Sequence, residues 1–386
     1  MVATDSEWIV LSDPDISQNE LESVACVLRS SRLSSGEWVE RFEDTFAEYL
    51  NRRYAVAVSS GTAGLLISLR ALGIGPGDEV IASAYGWHQI AHAIALTGAT
   101  PVFADIDYWS GTLAPDKTEL KITPRTRAIL AGNSNGHPAA WQPLRELAQQ
   151  HGVALIEDST EAVGSRYRGA LTGSFGDVAV FDFSQPSALV CGEGGMIVTD
   201  DPDLASELRY YRGRSLEERF SISIASRLPF QSGMSDLTAA LGLTQLERID
   251  EILARRKRTE MWYQRHILSF EGIKPAYVAP EVDEVHWMVY LVHLGTRFTR
   301  SARNQIVDDL QTARIEAPAY CNPLHQQYYY SALGYRRGDL YVTEKLADRA
   351  LALPFHAHLD EDTIAFIVQT AKDSSINVGA GAAIYL

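Results

Sequence analysis

Short apolar segments alternate with helical patterns over the first half of this 386-residue chain. Most of the apolar runs are followed by a polar turn and then by a segment whose apolar residues stand three or four positions apart. These runs cover residues 54–58, 79–82, 101–104, 127–131 and 153–156. Strands that alternate with helices pair in parallel, and the helices then cover both faces of the sheet. The sequence therefore predicts an α/β fold built on a mainly parallel sheet.

Residues 173–200 form the stretch on which the functional interpretation depends. An apolar strand at 178–183 leads into the loop 184–188, which contains a proline, and a glycine turn at 192–195 leads into a second strand at 196–199. A loop of this kind between two strands can hold side chains rigidly at a site. The same pattern is also typical of a plain surface hairpin.

Polar and aromatic residues follow several of the predicted strands. Thr62, Trp87, Asp158 and Asp182 each come at or just after the end of one. Ligands of parallel α/β sheets bind at the carboxyl ends of the strands, so we expect these four residues to converge there. Thr62 also lies in a small polar turn before a helix, an arrangement that favours a phosphate or carboxylate.

The remaining third of the chain predicts a smaller α/β domain. The segment from Ser235 to about Gln264 carries one continuous helical pattern, and we expect a long helix that leaves the large domain there. A strand at 287–294 and a helix at 301–313 follow. We therefore divide the chain into a large domain, residues 1–250, and a small one, residues 251–386.

Composition excludes several classes of function. The formal net charge of −15 argues against nucleic acid or an anionic membrane as a partner. The sequence begins with no secretory signal pattern, and no apolar run is long enough to cross a bilayer. The three cysteines have neither metal nor disulfide spacing, which fits a reducing cytoplasm. We expect a cytoplasmic protein without a metal site that acts on a small molecule.

Several ordered motifs together resemble the DegT/StrS family of sugar aminotransferases, which use pyridoxal phosphate (PLP). The resemblance covers nearly the whole chain, and it is carried by residues 55–62, 75–80, 97–103, 173–178, 192–195, 241–246 and 323–325. It implies the aspartate-aminotransferase fold, called fold type I. That fold has a large domain with a mainly parallel, seven-stranded sheet and a smaller C-terminal α/β domain. It also implies a homodimer whose active sites are shared between the subunits.

Three residues match cofactor-binding positions of that family. Thr62 corresponds to the residue that meets the phosphate at a helix start. Trp87 corresponds to the aromatic side chain that stacks on the pyridine ring. Asp158 corresponds to the carboxylate that pairs with the pyridinium nitrogen and makes the ring an electron sink. The resemblance therefore implies a remnant of a site for a flat aromatic ligand.

Other matches fail. Ser187 occupies the position of the lysine that forms the Schiff base, and a serine cannot form an imine. The chain has no lysine between Lys121 and Lys257 that could replace it. Asp182 occupies the position of a serine that binds the phosphate, and carboxylate and phosphate repel each other. Further departures stand at Glu161, in place of Gln or His near the ring, and at Gln231, in place of an asparagine from the neighbouring subunit.

These departures favour an enzyme that has lost ordinary transamination and works without PLP. Asp158, Glu161 and Asp182 would form the acid–base site, with His88 and Ser187 nearby. Clustered carboxylates raise one another's pKa and can divide into an acid and a base. Such a site suits an amino sugar, an aminocyclitol or another amine-bearing intermediate, in a dehydration, epimerisation, cyclisation or condensation. On this hypothesis no cofactor is expected.

Two alternatives stay open. In the first, PLP or pyridoxamine phosphate (PMP) binds without a covalent bond, and the protein is a PMP-dependent dehydratase that acts on a nucleotide-linked keto-sugar. In the second, the chain is a non-catalytic partner or regulator of a true sugar aminotransferase. His137, Gln231 and His325 are the candidates for contact with a substrate.

Overall fold

A seven-stranded sheet organises the N-terminal part of the structure, a computed structural model that describes residues 8–213, 228–268 and 272–380. The strands of the described chain are β1 (Tyr54–Val58), β2 (Glu79–Ser83), β3 (Thr100–Ala104), β4 (Thr126–Gly132), β5 (Ala154–Asp158), β6 (Arg166–Tyr167), β7 (Ala170–Leu171), β8 (Val178–Asp182), β9 (Gly195–Thr199), β10 (Ile273–Pro275), β11 (Val282–Glu284), β12 (Tyr290–Leu294) and β13 (Ala350–Leu353).

The large sheet has the strand order β1-β9-β8-β5-β4-β2-β3. Strands β3, β2, β4, β5 and β8 pair in parallel. Strand β9 is antiparallel to both of its neighbours, β8 and β1, because a short loop turns the chain straight back after β8. This is the α/β, mainly parallel, seven-stranded architecture that the sequence predicts, and the predicted fold class is confirmed.

The helices cover both faces of this sheet and extend beyond it. They are α1 (Gln18–Arg29), α2 (Glu37–Leu50), α3 (Gly61–Ala71), α4 (Gln89–Thr97), α5 (Pro115–Glu119), α6 (Trp141–His151), α7 (Pro202–Arg212), α8 (Asp236–Glu247), α9 (Ile249–Ile267), α10 (Arg300–Thr312), α11 (Tyr328–Ser331), α12 (Tyr341–Ala347) and α13 (Glu361–Ser375). A π-helical turn, Ile376–Ala380, follows α13.

Strand alternation assigns the two faces of β8 to different cores. Val180 packs with residues of α3, α4 and α7 on one face. Phe181, the next residue, packs with Phe42 and Phe46 of α2 and Leu243 of α8 on the other. Because both faces are dry, β8 is held firmly, and so is the residue at its end.

The C-terminal part contains a three-stranded antiparallel sheet in the order β10-β12-β13. Helices α10 and α13 pack together beside it, and α9 packs on α13. A third sheet joins β11 to the hairpin β6–β7. Helix α9 begins at Ile249, next to the predicted boundary at residue 250. The division into domains at that point stays a prediction.

The predicted single helix from Ser235 to Gln264 is wrong in one respect, because the structure has two helices that meet at Arg248. That residue has φ −108° and ψ 9°, which is outside the helical region. Its guanidinium binds the carboxylates of Glu20 and Asp15 near the start of α1. Periodicity alone could not reveal this break, since its partners lie more than 200 residues away along the chain.

Candidate functional site

The carboxyl ends of the parallel strands lie at one edge of the sheet, and there the predicted site residues come together. Asp158 ends β5, and Asp182 ends the neighbouring strand β8. Helix α3 begins two residues after β1, and the amide of its first residue, Gly61, donates a hydrogen bond to Asp182. Trp87 follows β2, and its amide donates to Glu161. The predicted convergence of these residues is therefore present in the structure.

Asp158 lies in a nearly dry environment. Only 4% of its surface is exposed. Its Oδ1 accepts the amide of Thr160 at 2.9 Å, and the Thr160 hydroxyl also acts on the carboxylate; no other donor among the described residues bonds to it. Burial raises the pKa of Asp158 to about 6, an effect that the hydrogen bond from Thr160 offsets in part and that the neighbouring Asp182 carboxylate increases. The carboxyl of Asp158 thus has one oxygen available for a ligand.

Glu161 is the second carboxyl of the site with a raised pKa. It accepts hydrogen bonds from the amide of Asn135 and from the hydroxyl of Tyr320, the latter at 3.0 Å. Burial raises the pKa of Glu161 to about 7, and the charge of Asp158 raises it further against the opposing effect of these hydrogen bonds. Near neutral pH this group can therefore accept or release a proton.

The Asp158 and Glu161 carboxyls together form an acid–base pair inside the pocket. Because each charge disfavours the other, the two groups give up their protons at different pH values. Tyr320 adjoins the pair, since its hydroxyl donates to Glu161 and favours the ionised form of that carboxyl. Such an arrangement can move a proton to or from a bound molecule at neutral pH.

Asp182 has a different role in the structure. Its Oδ2 accepts the amide of Gly61 at 2.6 Å, so the carboxylate sits at the N-terminus of α3. Its Oδ1 accepts the amide of Ser184 at 2.8 Å and also the hydroxyl of Ser184. A helix N-terminus carries free amides and a partial positive charge, which stabilise an anion. Here the chain supplies that anion itself.

Ser187 lies in the loop that joins β8 to β9. The base of this loop is closed by two backbone hydrogen bonds, from Cys191 to Phe183 and from Phe183 to Gly194, each 2.9 Å long. Ser187 is half-buried. The loop is thus a firmly closed turn beside the site, and its residue 187 presents a hydroxyl and no amine.

The remaining predicted ligand contacts surround the same edge. Thr62, the second residue of α3, is half-buried. Trp87 is 38% exposed, so it has a free surface on which a flat ligand could stack. His88 is exposed, and its ring lies 4.5 Å from that of His92, centroid to centroid. The acid–base role predicted for His88 stays a prediction, because no hydrogen bond links it to the carboxyls in the described part of the chain.

Two histidines predicted to meet a substrate are engaged inside the fold. His137 is buried, with Nδ1 against the carbonyl of Pro138 at 2.8 Å and Nε2 accepting the amide of Ala279 at 3.2 Å. His325 is fully buried, and its Nε2 lies 3.0 Å from Glu344. Both ring nitrogens of His137 thus have partners within the fold, whereas the buried Nδ1 of His325 has none among the described residues; neither histidine enters the site that we propose below.

Gln231, the remaining predicted substrate contact, is exposed on a turn with a left-handed backbone, φ 52°. Its backbone lies close to Gly213. The predicted contact across a subunit interface at this residue stays a prediction, as does the homodimer.

The sequence patterns did not identify three residues that bond to the carboxyls of the site, namely Thr160, Asn135 and Tyr320. Thr160 carries a local signal, because a threonine two residues after an aspartate commonly donates its amide back to the carboxylate. Its hydroxyl also accepts from Gln89 at 2.7 Å, which joins the start of α4 to the site. Tyr320 has no such signal, since it reaches Glu161 from 159 residues away.

Neither a metal centre nor a membrane helix emerges from the described residues. Within residues 8–213, 228–268 and 272–380, no group of three or more His, Cys, Asp or Glu side chains is arranged to hold a metal ion. No helix in those same segments is long and apolar enough to cross a membrane.

Comparison with known proteins gives close relatives over nearly the full length. The chain is 37% identical over 366 residues to a GDP-perosamine synthase of Caulobacter vibrioides, which covers 94% of this chain and 96% of that protein. It superposes on DesV of S. venezuelae, solved with a ketimine intermediate, with a TM-score of 0.85 and 33% identity over 92% and 94% of the two chains. It also superposes on the PMP form of a putative sugar aminotransferase of Streptococcus pneumoniae with a TM-score of 0.91. The sequence identity is 26%, and the match covers 97% of this chain and 100% of that chain.

These relatives overturn the expectation that no cofactor binds. The solved structures include the PMP form and the PLP form of the S. pneumoniae protein. The family and its structural neighbours depend on PLP or PMP, so a cofactor of this kind is expected here as well. The sequence interpretation was wrong because it took the loss of the lysine and of the serine as the loss of the whole pocket.

The pocket fits the ring end of such a cofactor. The Oδ2 of Asp158 has no donor among the described residues, and a protonated ring nitrogen would supply one. Trp87, whose amide donates to Glu161, offers a partly exposed ring at the same edge of the sheet. The opposite end fits less well, because the Asp182 carboxylate already takes the Gly61 amide that a phosphate would use.

Membership follows from the length of the match and from the fold together. The sequence profile of the DegT/DnrJ/EryC1/StrS aminotransferase family matches residues 14–372. The solved relatives share the large mixed sheet and fold type I. The chain therefore belongs to the DegT/DnrJ/EryC1/StrS aminotransferase family.

Proposed function

We propose that this protein is an enzyme of amino sugar biosynthesis that holds a pyridoxal- or pyridoxamine-type cofactor through its ring, without a covalent bond to the chain. The proposal rests on family membership and on relatives such as the GDP-perosamine synthase. The observation that carries it is the combination of Asp158, with a free carboxyl oxygen, and Ser187 in the loop where the family resemblance implies a lysine.

The chemistry divides between the cofactor and the chain. When bound, a pyridoxamine-type cofactor supplies a primary amine and an electron-accepting ring. Asp158 would hold the ring nitrogen, and Trp87 would cover one face of the ring. A lysine amine that could shuttle protons has no counterpart at Ser187, so proton movement would depend on the carboxyls instead.

Glu161 is suited to that task. With a pKa of about 7 it is partly protonated at neutral pH, and the Tyr320 hydroxyl, which donates to it, fixes the position of its carboxyl. A group of this kind can protonate a hydroxyl that leaves a sugar ring as water. We therefore favour dehydration of a keto-sugar over ordinary transamination.

The first experiment tests how a cofactor is held. Purified protein is titrated with PLP, treated with borohydride and examined by mass spectrometry. We expect bound cofactor that is lost on denaturation and no covalent adduct. A matched Ser187→Lys variant should gain the adduct, which shows that borohydride could have trapped it.

The second experiment tests the reaction. A nucleotide-linked keto-sugar is incubated with PMP and the protein, and the product is followed by NMR for loss of a hydroxyl group. Glu161→Gln should slow product formation by about 100-fold, the usual order for removal of a general acid. Appearance of an amino sugar with the wild-type protein would contradict dehydration in favour of transamination, and unchanged substrate would favour a non-catalytic partner.

A further inference from the structure

By the family resemblance, Asp182 occupies the position of a phosphate-binding serine, and it lies at the N-terminus of α3. Its Oδ2 is 2.6 Å from the amide nitrogen of Gly61, the first residue of α3. A phosphate that used this amide would first have to displace the carboxylate. The contact is direct, so no room remains between the two groups for a second anion.

Three hydrogen bonds hold the carboxylate in this position. Besides the Gly61 amide, the amide and the hydroxyl of Ser184 both donate to Oδ1. Rotation of the Asp182 side chain away from α3 would therefore break contacts at both oxygens. The Asp182 carboxylate therefore caps the N-terminus of α3, and both of its oxygens are already bonded within the chain.

Packing around Gly61 fixes the same geometry from the other side. A Cβ atom on Gly61 would lie 2.8 Å from the Cβ and Oδ2 of Asp182 and 2.9 Å from the side chain of Thr160. A Cβ on Gly195, which pairs with Asp182 across β8 and β9, would lie 2.9 Å from the Gly61 nitrogen. The helix start, both strands and the carboxylate are thus in close contact.

The charges of the site also disfavour a ligand that carries a phosphate. Asp158, Glu161 and Asp182 bring three carboxyl groups to one edge of the sheet, and the Asp182 charge adds to the burial that raises the pKa of Asp158. A ligand with a cationic ring and amine suits such a pocket. A ligand that adds a doubly charged phosphate beside Asp182 does not.

We propose that Asp182 is a selectivity residue that replaces the ligand's phosphate at the N-terminus of α3, so that the site prefers the unphosphorylated vitamer, pyridoxamine, to its phosphate ester. This inference rests on the proposed function, because it concerns the cofactor that the site would hold. It concerns only the end group of that cofactor and leaves the ring contacts at Asp158 unchanged.

The test measures dissociation constants of pyridoxamine and PMP by calorimetry for the wild type, Asp182→Ser and Asp182→Asn. We expect the wild type to bind pyridoxamine at least as tightly as PMP. Both variants should bind PMP at least tenfold more tightly than the wild type does, with pyridoxamine changed less than threefold. Asp308→Ser, which removes an exposed carboxylate on α10, controls for net charge and should change neither constant.

A crystallographic arm uses sulfate alone and needs no cofactor. Sulfate should occupy the α3 N-terminus in Asp182→Ser crystals and be absent from that position in the wild type. A wild type that prefers PMP by tenfold or more, or sulfate bound beside an unmoved Asp182, would overturn the proposal and leave the proposed function intact. Failure of both vitamers to bind any variant would instead overturn the proposed function, and this inference with it.

The wild type alone decides the matter if the substitutions at residue 182 prevent folding. Its preference between pyridoxamine and PMP is measured on the unmodified chain. A lower dissociation constant for pyridoxamine than for PMP supports the proposal. A dissociation constant for PMP that is lower by tenfold or more contradicts it.

Discussion

The ends of β5 and β8 carry the same residue type at neighbouring positions of one sheet, and the Oδ1 of each aspartate accepts the amide two residues on, yet the second oxygens differ in their partners. Asp158 is buried with one oxygen left without a donor among the described residues, and burial raises its pKa to about 6. Asp182 has both oxygens satisfied, one by the first amide of α3. Whether a carboxylate is available to a ligand thus depends on its hydrogen-bond donors and not on the residue type.

The largest effect should come from the β5 end. Asp158→Asn removes the charge that would pair with a cationic ring, and breaking a buried ion pair costs about 3 to 5 kcal/mol. We expect binding of either vitamer to weaken by about 100-fold, which corresponds to about 2.7 kcal/mol. Fluorescence titration of the variant beside Asp308→Asn measures this. Equal affinities would remove the distinction between the two aspartates.

The next effect concerns how stability depends on pH. Between the ordinary value of 4.5 and the folded value of about 7, the folded chain keeps a proton on Glu161 that the unfolded chain releases. Stability must therefore fall as the pH rises through this interval. Relative to the wild type, Glu161→Gln should gain about 1 to 3 kcal/mol between pH 5 and pH 8.

Urea denaturation at pH 5, 6, 7 and 8 measures that difference, with the exposed Glu193→Gln as the control. The control should follow the wild type at every pH. If the free energy of unfolding of Glu161→Gln varied with pH in parallel with that of the wild type, Glu161 would be ionised throughout the range. The acid–base pair that we describe would then be contradicted.

A smaller effect is expected when the β8 end is altered in the absence of any ligand. Asp182→Ser removes the carboxylate that caps α3, and loss of a cap costs about 1 kcal/mol. Thermal or urea unfolding of the ligand-free protein measures this loss. Ser60→Ala removes the other cap of the same helix, the acceptor of the Ala63 amide, and should cost a similar amount. An Asp182→Ser protein as stable as the wild type would show that the internal cap contributes nothing.

The smallest effect should follow from Ser187→Ala. The residue is half-buried in a loop whose closure depends on other residues, so we expect a change within about 0.5 kcal/mol. Vitamer affinity should also change less than twofold. A large loss of affinity would mean that the Ser187 hydroxyl contacts the ligand. Binding would then depend on Ser187 as well as on the two strand ends.

Much of the fold was accessible from the sequence, because it depends on local periodicity. The alternation of strands and helices predicts the parallel sheet, and strand ends predict where Asp158 and Asp182 lie. The break at Arg248 was missed because its cause is an ion pair with residues of the N-terminal segment. No pattern within 235–264 encodes that partner.

The site was predicted in outline and missed in detail for a related reason. Asp182 was expected beside Asp158 as an acid–base group, but its role depends on the Gly61 amide, which is 121 residues away. Likewise, His137 follows a strand and His325 lies in a family loop, yet both rings are buried and each has a nitrogen bonded within the fold. Sequence identifies which groups are near, and only packing shows which remain free.

Glu157, next to Asp158 on β5, points to the opposite face and is fully buried. Its carboxylate accepts the amides of Gly173, Phe175 and Gly176, so the turn before β8 is built around it. A change of chemistry at Asp182 or Ser187 leaves this cradle untouched, whereas loss of the cradle would unfold the region. The turn before β8 is therefore set by folding contacts in which neither Asp182 nor Ser187 takes part.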